Sequence, residues 1–187
     1  MIVSVVTAPQ PVVELVEAKD HLRVDHDDSD DLIAAYVQAA TAHIDGPDGW
    51  LGRALGVQTL EARLDAFPCG ELIALPYRPL TEIVSIKYDD GDGAERTVDA
   101  DLYTLDPAGA LLAYGAAWPV ARTRRGAVRV RYVAGYANGI PAPIKAAILL
   151  MVGDLFANRE TVGAAAARIQ MTTTVESLLA PFRVWSL

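Results

Sequence analysis

The chain has 187 residues, of which 52% are hydrophobic and 21% charged, with a formal net charge of −8. That is the composition of a globular domain long enough to bury a core unaided, and not of a disordered chain. Its acidity speaks against gripping nucleic acid by the phosphates as the main task. The lone Cys69 allows no internal disulfide and gives no sign of an oxidising compartment. The N-terminal MIVSVVTAPQ has neither a basic stretch nor a long apolar one, so no signal peptide is expected. The longest apolar run, Ile144 to Phe156, is broken by Asp154 and too short to span a bilayer.

Residues 10 to 55 read as helical. Val12, Leu15, Val16, Lys19 and Leu22 fit a short helix with Pro11 in its first turn. Leu32, Ile33, Tyr36, Val37, Ala40 and Ile44 fall on one stripe of a second helix, which Gly46-Pro47-Asp48-Gly49 stops. Between them lies DHDDSDD, residues 25 to 31, the densest charge cluster in the chain. Read as a calcium loop from Asp25, it places Asp30 where glycine must turn the loop and Tyr36 where a bidentate glutamate must sit. The favoured reading is a helix start. Asp27, Asp28 or Ser29 caps the free N–H groups, and Asp30 and Asp31 suit the positive end of the helix.

Residues 56 to 135 read as an inserted β part. VQTLEARLDAF is a strand in which Val57, Thr59 and Ala62 give way to Leu64, and ELIALP is a short strand ended by Pro76. EIVSIKYDDGDG sets Ile83, Ser85 and Lys87 against Val84, Ile86 and Tyr88, then enters an Asp-Gly turn with ERTVDADLYTLD as the hairpin partner. GAVRVRYVAG puts Val128, Val130 and Tyr132 on one face and Arg129 and Arg131 on the other. Prolines 68, 76, 79, 107 and 119 suit a small antiparallel sheet or barrel with short edges.

Residues 140 to 187 return to helix. Pro143 sits in the first turn, and Ile144, Ala147, Ile148, Met151, Leu155 and Phe156 form a face that Leu149 and Val152 widen, so the helix is buried on most sides. TVGAAAARIQMTTT is small and polar and reads as a mobile connection; VESLLAPFRVWSL is a short helix stopped at Pro181, then an aromatic tail. The fold class expected is α+β: a helical bundle formed by the N- and C-terminal segments, with an inserted small antiparallel sheet or barrel, in one domain.

No chemistry assembles from these residues. His21, His26 and His43 form no HExxH or HxH pair, no serine lies in GxSxG, and Cys69 has no nucleophile signature around it. GYANGIP precedes a helix but lacks the lysine and serine of a phosphate loop. No catalytic, cofactor-binding or metal residues are expected. The arginines stand out instead: Arg122, Arg124, Arg125, Arg129 and Arg131 are five of the 16 basic residues. They form either a solvated hairpin face or a contact surface for an acidic partner subunit or DNA phosphates.

The ordered segments VVELVEAKDHLRVDHDDSDDLIAAYVQAATAHID, ALGVQTLEARLDAFP, IALPYRPLTEIVSIKYDDGDG, YTLD, WPVARTRRGAVRVRYVAGY, IPAPIKAAILLMVGDLFANRE and ESLLAPFRV resemble phage head–tail connector (adaptor) proteins of the gp6-like type. The resemblance spans nearly the whole chain. It implies a structural virion protein without enzymatic activity, of a tailed phage, prophage or gene transfer agent. Such a protein is made in the bacterial cytoplasm and resides at the head–tail joint, with no membrane. Its subunits form a ring, usually of twelve, under the portal protein, with the free chain a monomer. The ring extends the channel for double-stranded DNA and docks a head-closure or tail component. The alternatives are a head-closure (stopper) or tail-terminator subunit, or a small-ligand-binding or enzymatic domain. Under the adaptor reading, the arginine hairpin is a neighbour-subunit or tail-side contact. The C-terminal segment 172 to 187, with Leu178, Leu179, Phe182, Arg183 and Trp185, is a portal anchor. It is expected to order on docking and to be removable without unfolding the subunit.

Overall fold

A computed structural model describes residues 1–158 and 171–185. The alanine-rich stretch 161–170, read above as a mobile connection, lies outside the described residues. Two compact units emerge, one of residues 1–10 and 53–137, the other of residues 11–52 and 138–187.

The first unit is built of strands. A five-stranded antiparallel sheet has the order β1 (Ile2–Thr7), β2 (Gln58–Leu64), β8 (Val128–Ala134), β4 (Leu80–Asp89), β5 (Glu95–Thr97). A three-stranded sheet has the order β3 (Leu72–Ala74), β7 (Gly109–Leu112), β6 (Tyr103–Asp106). β8 alternates as its sequence predicts. Val128, Val130 and Tyr132 are fully buried, whereas Arg129 and Arg131 face the other way. The core joins both sheets, with Leu60, Ala62, Ile86 and Val130 from the larger and Ile73 and Ala110 from the smaller. The Tyr132 hydroxyl donates to the Pro76 carbonyl at 3.1 Å, so its one polar atom is satisfied inside this core.

Three strand expectations change. In β2 the inward residues are Leu60 and Ala62, and Thr59 is only half-buried. In β4 strict alternation fails, because the register shifts between Leu80 and Glu82 and again between Ile83 and Ser85. The second bulge keeps Ile83 opposite Tyr132 and Ile86 opposite Val130, all towards the core, and throws Val84 outward at 47% exposure. ERTVDADLYTLD is not one hairpin strand. Only Glu95–Thr97 pairs with β4; a 3₁₀ turn (Ala100–Leu102), its entry bound by Asp99, redirects the chain into β6 of the other sheet.

The second unit holds the helices α1 (Leu15–Leu22), α2 (Asp30–Ile44), α3 (Ala142–Ala157) and α4 (Thr173–Leu179). α2 packs on α3, and α3 on α4. Ile33, Val37, Ala40 and Ile44 of α2 meet Ile144, Ala147, Ile148, Met151 and Val152 of α3 as a buried set. Gly46, at φ +72°, turns the chain out of α2, and a Cβ on Gly49 would lie 2.3 Å from the Asp45 carbonyl oxygen. None of the helices in the described residues is long and apolar enough to cross a membrane.

Helix starts also depart from expectation. α1 begins at Leu15, so Pro11 lies before it; Ala18 is its buried residue, and Val16 is 68% exposed. Its first turn is fixed by the Glu14 N–H donating to Glu17 Oε2 at 3.1 Å. At α2 the N-cap is Ser29, but its side chain caps nothing. Lys19 instead binds Asp27 and Asp30, each at 2.7 Å, pinning the acidic stretch to α1. Asp30 and Asp31 do occupy the first turn, where the helix dipole favours them. Among the described residues no cluster of His, Cys, Asp and Glu is arranged to hold a metal ion.

Candidate functional site

The face of the larger sheet opposite the core is charged in rows. Register places Ser4, Glu61, Arg131 and Ser85 side by side across β1, β2, β8 and β4. The next row holds Ile2, Arg63, Arg129, Lys87 and Thr97. Side chains two apart on one strand share a face, so the alternation that buries Val128 and Val130 necessarily aligns these cations. Between them lies a depression of about 190 Å³, lined by Glu61, Arg63, Ser85, Lys87, Glu95, Arg129 and Arg131. Four of its lining residues are cations and two are carboxylates.

These charges hold one another. Glu61, 8% exposed, accepts from Arg131 Nη2 at 2.9 Å and from Arg63 Nε at 3.0 Å. Burial alone would raise its carboxyl, but the two guanidiniums outweigh burial and leave it below its usual range. Asp89 is 6% exposed. Arg129 lies 2.8 Å from its Oδ1 and Arg124 lies 2.6 Å from its Oδ2. The hydrogen bond from Arg129 is the main cause of a lowered Asp89 carboxyl. Glu95 takes Lys87 at 2.8 Å and Arg129 at 3.0 Å, and is lowered chiefly by Lys87. Carboxylates held ionised in this way are poor general acids, which work best with raised values.

Each of these carboxyls has a lower pKa folded than unfolded. Such groups stabilise the fold above the ordinary carboxylate range, and that contribution is lost as pH falls through their folded values. Melting temperature should therefore be level from pH 7 to about 5 and fall below about 4.5. A melting temperature unchanged down to pH 3 in calorimetry would remove this network as a source of stability.

Of the five arginines singled out in the sequence, Arg129 and Arg131 lie in the depression, and Arg124 reaches it from the side through Asp89. Arg122 sits against the β4–β5 turn, where a Cβ on Gly93 would meet its Nη1 at 2.6 Å. Arg125 is exposed, and among the described residues it forms no ion pair. Glu61, Asp89 and Glu95, which organise the patch, escaped the sequence reading. Their one signal was period-two placement opposite the arginines.

The C-terminal segment is packed in the second unit. α4 is capped by Thr172, whose Oγ1 accepts from the Val175 N–H at 3.4 Å, and Val175 and Leu179 are fully buried. Leu178 and Phe182 are half-buried. The Val184 N–H donates to the Leu51 carbonyl at 2.9 Å. Arg183 lies between two indoles, 4.1 Å from Trp50 and 3.9 Å from Trp185, and Trp185 is 72% exposed. The expectation that this segment orders only on docking, and is dispensable for folding, is therefore corrected: its helix supplies core residues to the isolated chain. Trp50, the second jaw around Arg183, was not read from the sequence.

A family model described as "Head completion protein" (HCP) matches residues 12–177. Among solved structures, a chain of the "Virion of native gene transfer agent (GTA) particle" is 24% identical with a TM-score of 0.76. A chain of the "Neck of empty GTA particle computed with C6 symmetry" is 24% identical with a TM-score of 0.77. A chain of the "Neck of native GTA particle computed with C12 symmetry" is 25% identical with a TM-score of 0.76. Each alignment covers 100% of this chain and 97% of the other. No curated protein matches it.

Proposed function

The chain belongs to the head completion protein family, and on that premise we propose that it is a structural subunit of the joint between the DNA-filled head and the tail of a phage-like particle. The observation that carries this is the family match over residues 12–177. The full-length likeness to a chain in a particle neck with C12 symmetry supports a ring of twelve. In this reading the whole chain acts as one adaptor domain, with its helices bundled as the ring scaffold. The ring seats on the portal protein, continues the DNA channel and receives a head-closure or tail component. No reaction is involved. The net charge of −8 fits a conduit that DNA passes without sticking.

The sheet's charged face and the exposed tail residues serve as contacts. Arg129 and Arg131 organise the patch from within, so the arginines free to meet a partner are Arg125 and Arg122. Trp185, with the half-buried Phe182 and Leu178, is the portal-side anchor; Arg183 fixes its ring in place.

Electron microscopy of the purified chain mixed with its portal tests the function. A ring stacked on the portal's tail-facing end is expected; no ring, or one bound elsewhere, overturns the proposal. Arg125→Glu tests the contact. It should weaken assembly at least tenfold at low salt, with the difference shrinking at high salt. Arg124→Glu is a poorer probe, because it also sets two carboxylates against each other at Asp89.

A further inference from the structure

The larger sheet is open at both ends, and the two open edges match. β1 is one edge, and among the described residues only β2 pairs with it. It runs IVSVVT without charge, proline or glycine, and Ile2, Val5 and Val6 are 75%, 47% and 46% exposed. Edge strands normally carry lysine, proline or a cover that prevents pairing with another chain. At the other end β5 covers only Lys87–Asp89 of β4, and the Val98 N–H reaches the Ile86 carbonyl at 2.8 Å. Among the described residues Leu80–Ser85 pairs with β8 alone, and Thr81, Glu82 and Val84 are exposed.

Direction and row also agree. Each neighbour along β1-β2-β8-β4 is antiparallel, so β1 and β4 run in opposite senses. A second copy displaced along the sheet therefore brings its β4 antiparallel to β1 of the first. Laid antiparallel along 80–85, β1 sets Ile2 opposite Ser85, and both belong to the charged rows of the sheet's outer face. β1 spans six residues, the length of the vacant stretch 80–85 of β4.

We propose that neighbouring copies join by sheet extension, β1 of one copy adding as a strand to the free edge Leu80–Ser85 of β4 in the next. This rests on the ring reading above. The contact uses two different edges of one subunit, so it is heterologous and propagates until a ring closes. Backbone hydrogen bonds supply the contact, as in other strand-addition interfaces. Self-pairing of two β1 strands would yield a two-fold dimer and leave β4 bare.

The test is disulfide trapping in the assembled ring, in a Cys69→Ser background because Cys69 is exposed. Ile2→Cys with Ser85→Cys should give, on mild oxidation, a ladder of cross-linked species extending beyond the dimer. Each single cysteine should give none. Rings that form without a ladder overturn the inference and leave the ring reading intact. Dimers from Ile2→Cys alone overturn it in favour of self-pairing. No ring from the Cys69→Ser parent removes the ring reading and this inference together. As a second arm, Val6→Lys should reduce ring yield at least tenfold while circular dichroism and melting stay as in the parent. An unchanged ring yield overturns the inference.

Discussion

Replacing Leu179 by alanine is expected to cost about 2–5 kcal/mol of stability. The side chain is fully buried, on a helix packed against α3. Its removal leaves a cavity that a short helix, already capped by Thr172, has little freedom to fill. Deleting residues 172–187 removes Val175 as well, and should leave the helical unit unable to melt cooperatively. Trp185→Ala makes the contrast. That ring is 72% exposed, so its loss should shift stability by under about 1 kcal/mol, while under the proposed function it should weaken attachment to the portal. Urea titrations read by circular dichroism separate the two. A change below about 1 kcal/mol for Leu179→Ala would mean that α4 is not part of the core.

Tyr132→Ala should be the most damaging single change in the sheet unit, at about 3–5 kcal/mol. The residue is fully buried in the central strand β8, between Leu60 of β2 and Ile83 of β4. Tyr132→Phe keeps the ring and loses only the bond to the Pro76 carbonyl, which should cost about 0.5–1.5 kcal/mol. The ordering of the two variants is the check. Equal losses would assign the residue's role to its hydroxyl instead of its packing.

Elements whose periodicity matches a single buried face were legible in the sequence. α2 and β8 are of this kind, because burial of one side leaves a clean stripe or alternation, whereas α3, packed by α1, α2 and α4, was legible from its length and apolar density. The charged sheet face was half legible. Arg129 and Arg131 alternate visibly with valines, but the carboxylates that engage them come from β2, β4 and β5, and register between strands is not written locally. β1 escaped because an exposed edge strand has no buried face to display. α1 misled because burial chose Ala18, a small residue under a close helix contact, over the larger Val16. The bulges in β4 broke the alternation on which its two faces were assigned. The acidic stretch 25–31 reads against a calcium loop by spacing alone, with Asp30 and Tyr36 at the two deciding positions. Its partner proved to be Lys19, one helix earlier, and not the backbone of the helix that follows.

The interleaving of the two units has a consequence for how the chain is made. The helical unit begins at Pro11, breaks off at Gly52 and resumes at Asn138, with residues 53–137 of the strand-built unit synthesised in between. α2 leaves the ribosome with Ile33, Val37, Ala40 and Ile44 uncovered, and their partner α3 is not yet translated. β1 waits similarly for β2. Closing such long loops is entropically costly and slows folding relative to local pairing. The nascent chain therefore passes through a period in which an apolar helix face and an uncharged edge strand are both open to other copies. Slow translation across residues 53–137, or scarce chaperone, should lower the yield of assembly-competent subunits even where the finished fold is stable.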